Sequence, residues 1–366
     1  METGPQEITH TLAALRDRVD DIDAQLLGLL NNRARVVQQI GQLKKEDQAE
    51  FYAPVREREI YERLTRLNPG PFPNGAVCTI FREVISASRA MEGQVTVAYL
   101  GPPATFTHMA CMQWFGRSVS DLPVHSIKDV FIEVERGRAD FGVVPIENSS
   151  EGVVNSTLDL FIDSPLQIFG EILQDISHHL LSQSGRMEEI RRVCSHPHAI
   201  AQCKVFLETH LPHVQTVAVD STTKAAEIAQ SDLETAAIAS ELAAQVYRLV
   251  IVRKRIEDHA HNSTRFLVIS QKKSKRTGHD KTSMMFATQD RAGALYETLR
   301  PLADHGINLT KIESRPSRKK AWEYLFYIDV EGHVEDEIVQ RALHDFQSRV
   351  ISLKVLGSYP MAERRG

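Results

Sequence analysis

Three groups of residues have the types and spacing to do chemistry. The first lies on one long amphipathic stretch, where Arg33 and Lys44 return almost to the same helix face. They would stand roughly 16 Å apart along the axis, so two cationic side chains can converge on a small dianion between them. Arg16 projects from a different face and would serve a different site, such as one in a partner chain. Arg56 and Glu57 open the next helical stretch, and Ser88 and Glu92 form an i,i+4 pair near the end of a third. Helix charges are most often only solvation, so spacing alone does not assign a site.

The second group is a set of hydroxyl and amide residues at the ends of β-type runs. These are GPPATFT with Thr105, PIENSSEG with Glu147, Asn148 and Ser149, DSTTKA with Ser221 and Thr222, and HNSTRF with Thr264 and Arg265. Strand ends followed by helix N-termini are where α/β proteins bind anions, although the same residue types also cap helices. The third group is Glu313, Ser314 and Arg315, just before Pro316 in NLTKIESRPSR. Proline cannot donate to a ladder, so a strand is expected to stop here and leave a carboxylate, a hydroxyl and a guanidinium at its end. The HH, HPH and HAH clusters have no cysteine or carboxylate at ligand spacing, so neither a metal nor a cofactor is expected. No Gly-rich nucleotide loop occurs.

Three kinds of element must position these residues. Leu12, Leu15, Val19, Ile22, Leu26, Leu29, Val36, Ile40 and Leu43 recur at three- and four-residue steps, predicting one helix from Leu12 to Lys45. A second is expected over Pro54 to Leu67, with proline in its first turn, and a third over Ala76 to Met91, after the break NPGPFPNG. Residues 1–93 thus read as an all-α domain. From 94 to 271, the runs VTVAYL, FGVVPIE, RRVCSH, TVAVDS, AAIAS and RFLVIS alternate with helical stretches, which predicts an α/β domain with a largely parallel sheet and room for two lobes. The basic stretch QKKSKRTGHDK reads as a linker, and residues 282–360 give βαββαβ, the α+β ferredoxin-like order.

The totals agree with a multidomain protein: 366 residues exceed one ordinary domain. A net charge of −5 argues against a nucleic-acid partner, and no apolar run has the length of a membrane span. The start METGPQEITH lacks the pattern of a secretory signal, and four cysteines form no C-x-x-C pair, so a reduced cytoplasmic setting is expected.

LAALRDRVDDIDAQLLGLLNNRARVVQQIGQLK followed by YAPVREREI resembles the all-helical chorismate mutases. That family forms an intertwined dimer whose sites draw on both chains. The resemblance implies that Arg16 from the partner and Arg33 bind substrate carboxylates, with Lys44 at the ether oxygen and Glu57 at the hydroxyl. Arg56 and Ser88 would support the second carboxylate. Ala53 stands where relatives often carry aspartate, and Glu92 where some carry glutamine at the ether oxygen.

VAYLGPPATFTHMACMQWFG, DFGVVPIENSSEGVVNSTLDLF, VDSTTKAAEIA, AAIASELAAQVY and NSTRF resemble, in order, the prephenate dehydratases. The family has two α/β lobes, like a solute-binding protein, with the site between them. This implies a catalytic Thr264, a cleft lined by Thr105, Glu147, Asn148 and Ser149, further hydroxyls from Ser221 and Thr222, and Arg265 as a carboxylate partner. The chain departs from the family at Ala104 and Arg248, where glycine is usual, and at His198, where glutamine is.

AGALYETLRPLADHGINLTKIESRP is similar to the ACT regulatory domain, which binds phenylalanine where two copies pair. Gly293, Ala294 and Leu295 would open a helix beside the ligand, and Glu313, Ser314 and Arg315 would supply polarity and fix the loop. Together the resemblances imply a bifunctional chorismate mutase/prephenate dehydratase acting on chorismate and prephenate, a homodimer or larger, inhibited by phenylalanine. One alternative is a two-lobed amino-acid-binding regulator with a decayed dehydratase cleft, motivated by Ala104 and His198. Another is a dehydratase preferring arogenate.

Overall fold

The computed structural model describes residues 11–46, 52, 54–259, 262–316 and 324–362; Ala53 lies outside them. The chain divides into two compact units. One holds the helices before Gln94, together with Gly116–Ser118, and the other holds Val95–Phe115 and the chain from Val119 onward.

The first unit contains α1 (Leu12–Glu46), α2 (Pro54–Leu67) and α3 (Asn74–Glu92). Thr11 caps α1, its Oγ1 accepting from the Ala14 N–H at 3.2 Å. Helix α3 buries Ile85, Ser86, Ser88 and Arg89, a mixed polar and apolar face. The apolar stripe of α1 is not covered by the described residues: Ile22 and Leu26 are 52% exposed and Leu29 is 64% exposed.

The second unit begins with β1 (Thr96–Leu100), α4 (Phe106–Phe115), β2 (Ser120–Val124), α5 (Ile127–Glu135), β3 (Phe141–Asn148), β4 (Gly152–Val153), α6 (Asn155–Phe161) and β5 (Gln167–Asp175). The chain then crosses to a second lobe made of β6 (His179–Ser182), β7 (Arg192–Ser195), α7 (Pro197–Gln202), α8 (Lys204–His210), β8 (Gln215–Ala218), α9 (Thr222–Ser231), β9 (Thr235–Ala239), α10 (Glu241–Tyr247) and β10 (Val250–Arg253). It returns with β11 (Ser263–Ser270), which inserts between β3 and β5. The sheet orders are β2-β1-β3-β11-β5 in the first lobe and β10-β6-β9-β7-β8 in the second.

The expectation of largely parallel sheets is corrected here. β11 runs antiparallel to both β3 and β5, and β6 runs antiparallel to both β9 and β10. For β11 the reason is the double crossing: β5 leaves the first lobe and β11 re-enters it, so the two neighbours run in opposite directions.

A third sheet, β13-β14-β12-β15, belongs to the same unit, with β12 (Asp280–Ala287), α11 (Ala294–Asp304), β13 (Leu309–Pro316), β14 (Tyr324–Glu331), α12 (Glu337–Gln347) and β15 (Ser352–Pro360). Strand alternation, with a register shift at Leu356 in β15, divides its side chains between two faces. Met284, Phe286, Ile328 and Val330 pack with Leu302, Val339 and Phe346 of the two helices. Met285, Tyr327, Leu356 and Tyr359 point the other way and share one core with Phe161, Ile168 and Leu267 of the first lobe. β15 comes so close to β5 that a Cβ on Gly357 would sit 2.3 Å from the Ile168 carbonyl oxygen.

Two readings near this sheet change. Lys281, expected at the end of a linker, lies in β12 and pairs with Glu171 at 2.9 Å. Glu313, Ser314 and Arg315 do not fix a loop, because β13 remains paired with β14 through Pro316. β13 is an edge strand, where a proline with no N–H breaks no ladder.

Candidate active sites

In the helical unit, the C-terminal half of α1 brings Arg33 and Lys44 against Ser88 and Glu92 of α3. Arg33 donates to Ser88 Oγ at 2.6 Å, and Ser88 in turn donates to the Val84 carbonyl at 2.6 Å. Lys44 Nζ lies 3.4 Å from Glu92, whose carboxylate is largely buried and therefore meets a donor in Lys44. Glu92 lies over Gly41, where a Cβ would come within 2.9 Å of its Cγ. From α2, Glu57 accepts from Arg89 at 2.8 Å, and the Arg89 guanidinium also sits 4.7 Å above the Tyr52 ring. Burial pushes the Glu57 carboxyl up to about 6 against the pull of Arg89 and Lys44. Burial also lowers the Arg33 guanidinium, with the charge of Glu92 opposing.

Arg56 is corrected: it faces solvent and pairs with Glu59 at 2.7 Å rather than joining this group. The residue sequence reasoning missed is Arg89. Its signal was available, since it follows Ser88 on the mixed polar and apolar face that α3 buries, where an arginine is buried only when paired. Arg16 is exposed on α1, about 25 Å along the axis from Arg33, and so cannot reach this group from its own chain.

In the second unit, register decides which residues meet. Thr264 of β11 lies opposite Asn148 of β3, and Arg265 opposite Glu147. Alternation sends the first pair to one face and the second pair to the other. Asn148 Nδ2 donates to Thr264 Oγ1 at 2.8 Å and to Asn262 Oδ1 at 2.9 Å. Asn148 Oδ1 accepts the backbone N–H groups of Ser150 and Glu151, so its amide orientation is fixed. Ser149 Oγ accepts from the Ser263 N–H at 2.9 Å and donates to Asn262 at 3.4 Å. Asn262 reaches Gln202 of the second lobe at 3.0 Å, and Glu151 meets His198 of that lobe at 2.7 Å. Thr264 accepts one hydrogen bond from Asn148, and among the described residues its own proton has no acceptor. Asn262, Gln202 and Glu151 were not foreseen, although Asn262 and Glu151 stand inside the quoted motifs.

Arg265 and Glu147 are corrected. Arg265 is buried away from Thr264 and donates to Glu171 at 2.7 Å, Asp329 at 2.6 Å and Tyr359 at 3.0 Å. Burial alone would pull its guanidinium down, but Tyr359, Asp329 and Glu171 together hold it well above its ordinary value. Glu147 pairs with Lys311 of β13 at 2.5 Å. Thr105 Oγ1 accepts the His108 N–H at 3.3 Å and Ser221 Oγ accepts the Lys224 N–H at 2.9 Å, so both cap helices; Thr222 begins α9. Ala104 and Arg248 adopt φ of +68° and +53°, the left-handed region that explains why glycine suits both positions.

At the third sheet, Gly293 at φ +79° leads into α11, Ala294 is buried, and Leu295 packs beneath the helix. A cavity of about 370 Å³ opens here, lined by Thr288, Arg291, Ala294, Glu297, Thr298 and Arg349. Arg315 pairs with Asp159 of the first lobe at 3.1 Å, while Glu313 and Ser314 lie on β13 at the opposite sheet edge from β15. Among the described residues, no group of three His, Cys, Asp or Glu is arranged to hold a metal.

Family models described as chorismate mutase type II, prephenate dehydratase and ACT domain match residues 15–93, 97–274 and 284–346. The chain is 51% identical to the bifunctional chorismate mutase/prephenate dehydratase of Aquifex aeolicus, over 96% of this chain and 98% of that protein. The crystal structure of prephenate dehydratase from Arthrobacter aurescens in complex with L-Phe is 36% identical, with a TM-score of 0.68, and the match covers 73% of this chain and 90% of that one. A solved structure described as a novel type of quorum quenching acylase is 32% identical, with a TM-score of 0.67, over 73% of this chain and 98% of that one.

Proposed function

The chain belongs to the bifunctional chorismate mutase/prephenate dehydratases, and from that premise we propose how the two reactions divide its residues. One similar structure carries an acylase on the same two-lobed fold, so fold alone does not select the activity. The match of three domains in order along nearly the whole chain does.

Chorismate rearranges to prephenate within one molecule, so the helical site has to hold a compact conformer and stabilise charge at the breaking ether bond. Arg33 binds one carboxylate, and Ser88 fixes its guanidinium. Lys44 donates to the ether oxygen, with Glu92 holding the ammonium in place. Glu57 accepts from the substrate hydroxyl while Arg89 anchors it, and Arg89 takes the supporting part expected of Arg56. Arg16 of the partner subunit binds the other carboxylate in a homodimer, which the uncovered stripe of α1 favours.

In the cleft, prephenate loses its ring carboxylate as CO2. The electron pair of the broken bond enters the ring, and the ring hydroxyl departs, gaining a proton to become water. The observation that carries this reading is the Thr264 hydroxyl, held as an acceptor by Asn148 and thereby aimed as a donor at the leaving oxygen. Phenylalanine binds at the third sheet, between the Ala294 cavity of one chain and the β13 edge of a second. The four cysteines are free, in keeping with a reducing, cytoplasmic setting.

The test supplies purified protein with chorismate, prephenate and arogenate separately, following each product. Arg33→Ala should abolish prephenate formation from chorismate but leave dehydration of added prephenate, and Thr264→Ala should do the reverse. Loss of both activities in either folded variant would refute the division, and turnover of arogenate alone would change the substrate.

A further inference from the structure

His178 lies in the crossing between β5 and β6, is 4% exposed, and takes no part in the chemistry described above. Its backbone N–H donates to Glu257 Oε2 at 2.9 Å, tying the outgoing crossing to the returning one. Its ring meets the edge of Phe106, and its Nε2 lies 3.0 Å from Gln202 Oε1.

The polarity of that last contact is determined by its neighbours. Gln202 turns its Nε2 toward the Glu151 carboxylate at 3.5 Å, a group that only accepts. Its Oε1 therefore faces both His178 and Asn262, and both must donate. Asn262 then presents its oxygen to Asn148, and Asn148, fixed by the Ser150 and Glu151 N–H groups, donates to Thr264. Every amide in the chain from His178 to Thr264 has one orientation consistent with its partners.

We propose that His178 is a positioning residue for prephenate dehydration, acting as an Nε2–H donor through Gln202 and Asn262 to hold the Thr264 hydroxyl toward substrate. Its Nδ1 has no hydrogen-bond partner among the described residues, so the proton belongs on Nε2, where it meets an acceptor, and not on Nδ1, where a buried N–H would go unpaired. Burial lowers its pKa, with the Gln202 hydrogen bond opposing, so the ring stays neutral through the working range. Without the histidine donor, Gln202 keeps only Asn262 and its exposed contact with Glu151, so the Gln202–Asn262 end of the network is held less firmly.

The proposal rests on the dehydratase reading, and the full-length protein tests both. His178→Leu and His178→Asn should lower kcat for prephenate roughly tenfold, the equivalent of one buried hydrogen bond, with KM changed less than about twofold. His178→Gln, whose amide nitrogen reaches the place of Nε2, should stay within about threefold of wild type. Mutase activity in the same samples reports folding of the helical unit, and thermal melts report the rest. Imidazole nitrogen spectra should show Nε2 protonated and Nδ1 bare. Equal kcat in all three variants, whether high or low, overturns the positioning role, as does an Nδ1–H tautomer. A wild-type protein inert toward prephenate overturns the dehydratase reading itself, and this assignment with it.

Discussion

Thr264 and Arg265 are neighbours in sequence and face opposite sides of β11, one toward Asn148 and one toward Asp329. The motif that contains them was legible, but assigning both to one cleft ignored the two-residue period of a strand. The same period separates Glu147 from Asn148. Amide partners such as Gln202 could not be read, because nothing in a sequence says which helix of a second lobe will meet a given strand. On the helical side, Arg33, Lys44, Glu57, Ser88 and Glu92 do come together, and there helix spacing carried real information. Glu57 gives a pH prediction. Its carboxyl titrates near 6, so it is ionised above that value and protonated below it. As pH falls through about 6, the Glu57 carboxyl is neutralised, so Arg89 loses its counter-charge and the substrate hydroxyl loses a charged acceptor. The kcat/KM for chorismate should therefore decline on the acid side with a midpoint near 6, and Glu57→Gln should remove that inflection. A profile unchanged by the substitution would take Glu57 out of the site.

At the scale of elements, βαββαβ order and the three helices followed directly from periodicity, whereas strand direction did not. A strand pattern looks the same whether it pairs parallel or antiparallel, so the return of β11 between β3 and β5 was invisible. Its consequence is mechanical. The strand bearing Thr264 is joined on its other face to β14 and β15 by the Arg265 pairs with Asp329 and Tyr359, and Lys281 of β12 reinforces Glu171. Removing one member of a buried ion pair strands the other. Arg265→Met should lower stability by about 3 kcal/mol, since it leaves Asp329 uncompensated while Lys281 still serves Glu171. Denaturant melts read by calorimetry check this. Phenylalanine inhibition should weaken in the same variant if this join carries the effector's signal to Thr264, and unchanged inhibition would exclude that route.

For the whole molecule, the long uncovered stripe of α1 and the distance of Arg16 from Arg33 point to association. Leu26→Glu with Leu29→Glu should reduce the association state seen by sedimentation. It should also lower mutase activity by roughly a hundredfold, as expected when a cationic contact to substrate is lost, and leave prephenate turnover intact. An unchanged mass with full mutase activity would return Arg16 to the solvent. The shared core under the third sheet has a further bearing on how feedback control can be lost. Cutting the chain after Lys281 would remove Met285, Tyr327, Leu356 and Tyr359 and bare Phe161, Ile168 and Leu267 to water. A truncated dehydratase should therefore aggregate, measurable as loss of soluble protein, instead of emerging as a free, uninhibited enzyme. Strains selected for phenylalanine overproduction should carry single substitutions around the effector cavity or the β13 edge, and deletions of the domain should be rare among them.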